Sequence, residues 1–300
     1  MTTISQPLVS NGYTLSTVPE RLGWLTPTDP HLPLKKLHAI YAEQGYIWFK
    51  GILDRAEILA FRRHYFTQFQ TCGLLAKGSD PVEGLYSGGP VDRACVSQLF
   101  NEAVRWPEYE ALCKTPRLWQ FYTSFLEAEP HLLQRRLIRH NVPGEKNCTA
   151  AHYDLIYLRA GTNRLCSSWI PLGDCPPQMG GLVYLEGSDA LGRKMEAEFS
   201  AKNAELPFAE RISAYNKNMR KGGWISANLP EMAEKFNTRW LAANYEAGDM
   251  VMHSPYMLHA ATVNNDAHGR IRLSTDIRFQ RLQDQVDPRW NNDWSNTDGL

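Results

Sequence analysis

A series of short segments with β-strand character, separated by turn residues, runs from about residue 132 to residue 280 and limits the folds open to this chain. No amphipathic helix recurs between these segments at regular intervals. Parallel α/β sheets need such helices as crossovers, so the pattern disfavours a doubly wound sheet and predicts a mainly β barrel or jelly roll. The predicted strands are residues 137–141, 150–158, 166–171, 181–185, 249–253 and 271–279.

Helical patterns precede these strands. Residues 34–43 carry apolar side chains at a helical period and lead into a short β-rich run at 46–49. Asp54 is a suitable N-cap for a second helix, and residues 115–126 begin with the Thr-Pro pair that is favourable at a helix start. Residues 71–100 are rich in Gly and Pro, which predicts a loop.

Residues 190–240 interrupt the strand pattern with large apolar side chains among many charges. This mixture predicts a helical insertion that crosses one mouth of the barrel. The chain has no internal repeat, so we expect residues 1–300 to form a single domain. We divide it into an N-terminal helical and strand flank at 1–130, a jelly-roll core at 131–280 that carries the insertion, and a C-terminal tail at 281–300.

Charge and composition exclude several classes of partner. The 32 basic residues balance 32 acidic ones, and no dense basic patch stands out, so we expect no nucleic-acid partner. The chain has no long apolar stretch and no signal-like start, which predicts a cytoplasmic protein without a membrane partner. The six cysteines are spread out without a CxxC pair, which disfavours a disulfide framework or a zinc knuckle. A small-molecule substrate remains, and a homodimer is compatible with these features.

The aromatic content is high, with nine Trp, thirteen Tyr and eleven Phe. Most of these rings are expected in the core, and the alternative is that some line an apolar pocket. Tyr86, Tyr153 and Trp224 are the candidate pocket residues, and Trp106, Trp290 and Trp294 are further rings of the same kind.

The residues with the clearest chemical meaning are His152, Asp154 and, 107 positions after the first, His259. On a strand, His152 and Asp154 would point to the same face. With one more imidazole they form a two-His, one-carboxylate set that leaves coordination positions open, which is typical of non-haem Fe(II) oxygenases. His253 competes with His259 for the third ligand position, but it lacks the small residues and the Asn that follow His259.

A second cluster follows the last histidine. If residues 270–276 form a strand, Arg270, Arg272 and Ser274 share a face, and a guanidinium beside a hydroxyl can bind a carboxylate. Arg suits this role because its planar fork matches a carboxylate with two parallel hydrogen bonds.

The order of these motifs resembles that of the phytanoyl-CoA dioxygenase family of Fe(II)- and 2-oxoglutarate-dependent oxygenases. It consists of His152-x-Asp154, a Gly-Asp pair at 248–249, His259 followed by small residues and Asn, and Arg272-x-Ser274. The run LHAIYAEQGYIWFKGILDRAEILAFRRHY also resembles the opening of that family, and the likeness extends to about residue 280. It implies a double-stranded β-helix, a cupin-like jelly roll with helices on one side.

The resemblance implies roles for individual residues. His152, Asp154 and His259 would bind Fe(II), and Arg272, helped by Ser274, would pair with the distal carboxylate of 2-oxoglutarate. Arg270 is the alternative to Arg272, because it lies at the family's commonest distance from the second His. Thr149 is a candidate for an additional polar contact with the co-substrate.

The implied activity is oxidation of a C–H bond with O2, release of succinate and CO2, and support by ascorbate. Asp154 occupies the position where related halogenases carry a small residue, which favours hydroxylation or a similar oxidation. We expect a small, lipophilic organic substrate such as a secondary metabolite. The alternatives are an acyl-CoA hydroxylase, for which the basic run at 216–221 would meet the coenzyme phosphates, and a non-oxidative metal-dependent jelly-roll hydrolase or isomerase.

Overall fold

The computed structural model describes residues 6–219 and 223–295 as two facing β-sheets, with helices packed on the outer side of the larger sheet. The strands are β1 (Val9–Ser10), β2 (Tyr13–Thr14), β3 (Leu22–Trp24), β4 (Tyr46–Phe49), β5 (Pro130–Leu132), β6 (Leu137–Asn141), β7 (Cys166–Pro171), β8 (Leu182–Leu185), β9 (Trp240–Ala242), β10 (Met250–His253), β11 (His259–Ala261) and β12 (Arg272–Arg281).

The helices surround this β core. They are α1 (Leu34–Gln44), α2 (Arg55–Phe69), α3 (Arg93–Ala103), α4 (Pro107–Cys113), α5 (Pro116–Leu126), α6 (Leu155–Leu158), α7 (Ser188–Lys202), α8 (Phe208–Ile212) and α9 (Leu229–Lys235). In the described part of the chain, no helix combines the length and the apolar character needed to cross a bilayer.

The larger sheet has the order β4-β10-β7-β12-β5, and β6 also pairs with β12. The smaller sheet has the order β11-β8-β9-β3. All pairs are antiparallel except β3 with β9. The arrangement confirms the predicted mainly β fold with helical decorations, although the two sheets do not close into a continuous barrel.

The larger sheet separates two environments because side chains alternate along each strand. Its outer face packs against α2, α4 and α5 in one apolar cluster that includes Phe49, Ile277 and Phe279. Its inner face meets the smaller sheet, where Trp48 and Trp169 pack with Tyr184. The inner positions of β12 are polar, as are Arg139 and Asn141 on β6, so polar side chains and the aromatic cluster occupy different parts of the space between the sheets.

Most local predictions agree with the structure. Asp54 caps α2 by accepting hydrogen bonds from two backbone N–H groups, and β4, β6 and α5 have the predicted bounds. Two predictions are wrong. The 71–100 segment contains the start of α3, and the 150–158 segment makes only short bridges at Ala151 and His152 before α6 begins.

The insertion and the tail both pack near the segment that carries His152. The insertion contains α7, α8 and α9, and its segment at Ile225 and Ser226 hydrogen-bonds to the backbone of Ala151 at 2.7 and 2.9 Å. In the tail, the side chain of Trp290 is buried.

The structure contains one disulfide, between Cys72 and Cys95. The sequence pattern disfavoured a disulfide framework and gave no sign of this pair, because the two cysteines are 23 positions apart in the sequence. The other four cysteines are free thiols.

Candidate metal and co-substrate site

Two imidazoles and one carboxylate converge between the two sheets. Nε2 of His152 and Nε2 of His259 lie 3.6 and 3.7 Å from Oδ1 of Asp154. One donor atom from each of the three residues lies within 4.8 Å of the others, and all three residues are buried. Reciprocal backbone hydrogen bonds between His152 and His259, of 3.1 and 2.9 Å, hold the two histidines opposite each other.

Both histidines use Nδ1 to hold the ring in place. Nδ1 of His152 lies 2.9 Å from the carbonyl oxygen of Ala150, and Nδ1 of His259 lies 3.0 Å from that of Met257. A carbonyl only accepts, so Nδ1 carries a proton, and it is the Nε2 atom that faces Asp154 and is left for a metal ion. Burial, followed by the nearby His152 and His253, lowers the pKa of His259 well below its ordinary value and keeps the ring neutral.

The two oxygens of Asp154 have different surroundings. Oδ2 accepts from Nε of Arg278 at 3.0 Å and from the hydroxyl of Ser167, whereas Oδ1 is buried without a partner among the described residues. Burial raises the pKa of this carboxyl, but Arg278 and the histidines His152 and His253 outweigh it, so the pKa lies well below the usual range. Asp154 is therefore a carboxylate with one oxygen that has no hydrogen-bond partner among the described residues and faces the Nε2 atoms of two imidazoles.

These residues fit a divalent iron ion. Imidazole and carboxylate donors without thiolate suit Fe(II), and three ligands on one side leave positions for small-molecule ligands. The unpaired buried Oδ1 of Asp154 gives a specific reason to expect a cation, because an unpaired buried carboxylate oxygen is costly.

His253 lies beside this group, on the Oδ2 side of Asp154. Its Nε2 is 3.6 Å from Oδ2 of Asp154, the oxygen already bonded to Arg278, and its Nδ1 is 3.2 Å from the hydroxyl of Tyr184. The set of donor atoms that converge within 4.8 Å contains His259 and not His253.

The structure separates the two candidate arginines. Arg272 is buried, donates to the hydroxyl of Ser274 at 2.6 Å and to the side chain of Asn141, and its Nε has no partner among the described residues. Arg270 instead pairs with Asp266 at 2.7 Å, with a third of its side chain exposed. Arg272 thus keeps a free donor inside the protein, whereas the guanidinium of Arg270 is engaged at the rim.

The remaining predicted site residues lie apart. Thr149 is half-buried, and its carbonyl accepts from the backbone of Ala261 at 2.9 Å. The hydroxyl of Tyr153 donates to Glu196 on α7 at 2.7 Å. Tyr86 lines a cavity of about 560 Å³ whose wall includes none of the three converging ligands, and Trp224 is half-buried in the insertion.

Most of the aromatic rings belong to the core. Trp106 packs on His64 and Tyr65, and Trp294 packs on Phe100. Trp290 differs, because the centre of its ring lies 4.6 Å from the guanidinium carbon of Arg278, which is hydrogen-bonded to Asp154.

Several polar residues near Asp154 and Arg272 were not evident from the sequence pattern. Asn141, Ser167, Asp276 and Arg278 all lie on the inner face of the larger sheet. Asp276 and Arg278 continue the period-two pattern that begins at Arg272 and Ser274, so extending the alternation along β12 would have identified them.

Comparisons with known proteins agree with this geometry. The model of the family described as phytanoyl-CoA dioxygenase (PhyH) matches residues 99–272, more than half of the chain. A curated relative, 1-deoxypentalenic acid 11-beta-hydroxylase from Streptomyces exfoliatus, is 24% identical over 254 residues, covering 81% of this chain and 80% of the relative.

Two solved structures share the fold. The epimerase SnoN, in complex with Fe3+, alpha ketoglutarate and nogalamycin RO, has a TM-score of 0.54 and 18% identity, covering 85% of this chain and 86% of SnoN. EctD from S. alaskensis with bound Fe has a TM-score of 0.55 and 13% identity, covering 95% of this chain and 93% of EctD. With the family match and the converging ligands, the chain belongs to the phytanoyl-CoA dioxygenase family and is an Fe(II)- and 2-oxoglutarate-dependent oxygenase.

Proposed function

We propose that this chain hydroxylates a C–H bond of a small lipophilic organic molecule, using Fe(II) held by His152, Asp154 and His259. The observation that carries the proposal is the convergence of two imidazole Nε2 atoms on the unpaired Oδ1 of a buried carboxylate. The overall reaction consumes substrate, 2-oxoglutarate and O2, and it yields hydroxylated substrate, succinate and CO2.

Different groups have different roles in this reaction. Ferrous iron supplies the capacity to activate O2. Arg272 offers a buried guanidinium, already oriented by Ser274 and Asn141, for the distal carboxylate of 2-oxoglutarate. Arg270 is not assigned this role, because Asp266 already occupies its guanidinium.

The direct test is succinate release by the purified protein with Fe(II), ascorbate, 2-oxoglutarate and a substrate panel. We expect release that depends on 2-oxoglutarate and O2 and is lost in His152→Ala and Asp154→Ala. The matched control is His131→Ala, which changes a histidine on β5 outside the converging group. Activity that persists in the ligand variants, or that requires zinc or manganese without 2-oxoglutarate, contradicts the proposal and favours the non-oxidative alternative.

Arg139 further defines the substrate. It lies on β6 opposite Ser274, and only its Nε is paired, to Asp276 at 2.9 Å. Its two Nη groups have no hydrogen-bond partner among the described residues, although 41% of the side chain is exposed. Burial lowers the pKa of Arg139, but Asp276, followed by Tyr157 and Asp154, outweighs burial and raises it, so the charge of Arg139 lies within electrostatic range of Asp154. We therefore propose that the substrate carries an acidic or other acceptor group.

The substrate panel tests this refinement. It pairs 1-deoxypentalenic acid, the compound named for the relative, with its methyl ester, and it adds a branched acyl-CoA for the thioester alternative. Stimulation of succinate release by the acid but not the ester supports a role for Arg139, and Arg139→Gln should remove this preference. The basic run that would favour the thioester is described only in part, because Arg220 and Lys221 lie outside the described residues.

A further inference from the structure

We propose that Arg278 and Ser167 are positioning residues that hold Asp154 as a one-oxygen metal ligand and so keep a position open for 2-oxoglutarate. The inference rests on the proposed function. It concerns the oxygen of Asp154 that faces away from His152 and His259.

Three neighbouring strands contribute to the surroundings of that oxygen. His253 on β10 pairs with Ser167 on β7, and Ser167 pairs with Arg278 on β12. Residues directly opposite in an antiparallel pair point to the same face, so the three side chains form one row across the sheet. All three approach Oδ2 of Asp154.

Arg278 makes the principal contact in this row. Its Nε donates to Oδ2 at 3.0 Å, and its Nη2 lies 2.9 Å from the same oxygen. The guanidinium is buried, and the ring of Trp290 lies 4.6 Å from its central carbon. A buried arginine packed on an aromatic face has little freedom to leave its partner.

Ser167 adds a second donor from the strand between the other two. Its hydroxyl donates to the same Oδ2 that Arg278 contacts. Oδ2 therefore accepts from two side chains, while Oδ1 accepts from none among the described residues.

This asymmetry affects how many positions remain on the ion. A carboxylate can bind a metal through one oxygen or through both, and a two-oxygen mode would occupy a position that the keto acid needs. The donors on Oδ2 compete with the metal for that oxygen. They also place a positive charge next to the ligand, which weakens its attraction for a cation.

The proposal makes a prediction that general misfolding does not. In Arg278→Met, Oδ2 is released and a positive charge is removed, so Fe(II) should bind at least as tightly as in the wild type. The affinity of the Fe(II)-loaded protein for 2-oxoglutarate should fall about tenfold. A merely structural defect would weaken both.

The variants are compared without turnover. Fe(II) affinity is measured by competition with a coloured chelator, and 2-oxoglutarate binding by anaerobic titration of the visible charge-transfer band of the ferrous keto-acid complex. Ser167→Ala should change the affinities for Fe(II) and for 2-oxoglutarate in the same directions as Arg278→Met, but by smaller factors. Arg278→Lys should restore part of the affinity for 2-oxoglutarate. Ser168→Ala is the matched control, because Ser168 is on the same strand and its hydroxyl faces Tyr122 and Met250.

The outcomes separate the two proposals. No charge-transfer band in the wild-type protein overturns the proposed function itself. A normal wild-type band with unchanged binding in Arg278→Met and Ser167→Ala overturns only the positioning role, as does a parallel loss of metal and co-substrate binding. If Arg278→Met does not fold, the comparison of Ser167→Ala with Ser168→Ala decides.

Discussion

Arg272 donates a hydrogen bond of 2.6 Å to the hydroxyl of Ser274, two residues further along the same strand. The bond fixes one edge of a buried guanidinium, and Asn141 accepts from another nitrogen. Nε remains without a partner among the described residues. The group is thus oriented before a carboxylate arrives, which reduces the entropy lost on binding.

Replacing Arg272 should therefore weaken co-substrate binding specifically. We expect Arg272→Gln to reduce the affinity of the Fe(II)-loaded protein for 2-oxoglutarate at least about 30-fold, corresponding to about 2 kcal/mol for lost charge-assisted hydrogen bonds. Arg270→Gln, two residues away, should stay within about twofold because Arg270 is paired with Asp266. Anaerobic titration of both variants measures the difference. The reverse ranking would transfer the co-substrate role to Arg270.

The two histidines near Asp154 should differ in their effect on metal binding. His259→Gln removes an Nε2 lone pair directed at Oδ1, so the affinity for Fe(II) should fall at least about 100-fold. His253→Gln changes a residue on the Oδ2 side and should cost no more than about tenfold. Chelator competition with Fe(II) gives both values. A larger loss in His253→Gln would make His253 the third ligand.

The sequence predicted the site correctly where the alternation of side chains along a strand determines which residues share a face. Arg272 and Ser274 lie on one face of a strand, as alternation requires. The expectation that His152 and Asp154 share a strand face is wrong in its reason, because Asp154 has helical backbone angles, with φ −63° and ψ −32°, at the start of α6. The side chains still meet, since a short turn also places them 3.6 Å apart.

Contacts between segments that are far apart in the sequence could not be predicted in this way. Arg278 lies 124 residues from Asp154, and no local pattern announces their contact before the register of β7 and β12 is known. The same applies to the aromatic residues, whose number is evident from composition but whose division between core and site depends on packing. Trp290 reaches the site only because the tail folds back beside Arg278.

A half-buried histidine, His140, should make the stability of this protein depend on pH. His140 lies against the rings of Phe69 and Phe100, and its Nδ1 is 2.6 Å from the hydroxyl of Tyr65. Burial, followed by the charge of Arg272, lowers its pKa from 6.5 to about 4. Between these values the unfolded chain binds more protons than the folded one. The contribution of neutral His140 to the free energy of unfolding is therefore fully present above about pH 6.5. It falls by up to about 3 kcal/mol as the pH approaches 4.

Urea unfolding at pH 7.5 and pH 5 tests this expectation. On going to pH 5, the wild-type protein should lose about 2 kcal/mol more of its free energy of unfolding than His140→Gln, which retains an acceptor for Tyr65. Carboxylates that titrate in this range affect both proteins equally. Equal losses in the two proteins would show that His140 is not held neutral in the folded state.

The disulfide between Cys72 and Cys95 should stabilise the oxidised protein, because it closes a loop in the unfolded chain. Cys95 lies in the first turn of α3, where its backbone N–H bonds to Asp92 at 3.0 Å, and the link joins two positions that are 23 apart in the sequence. The loss of chain entropy in the unfolded state predicts an increase of about 3 kcal/mol in the free energy of unfolding for a loop of this length.

Urea unfolding should show this difference between the wild-type protein and Cys95→Ser without reductant. The difference should largely disappear with dithiothreitol. Cys148→Ser changes a free thiol and keeps the disulfide, so it should lose as much stability on addition of reductant as the wild-type protein does. Six reactive thiols in the denatured, unreduced wild-type protein would contradict the assignment.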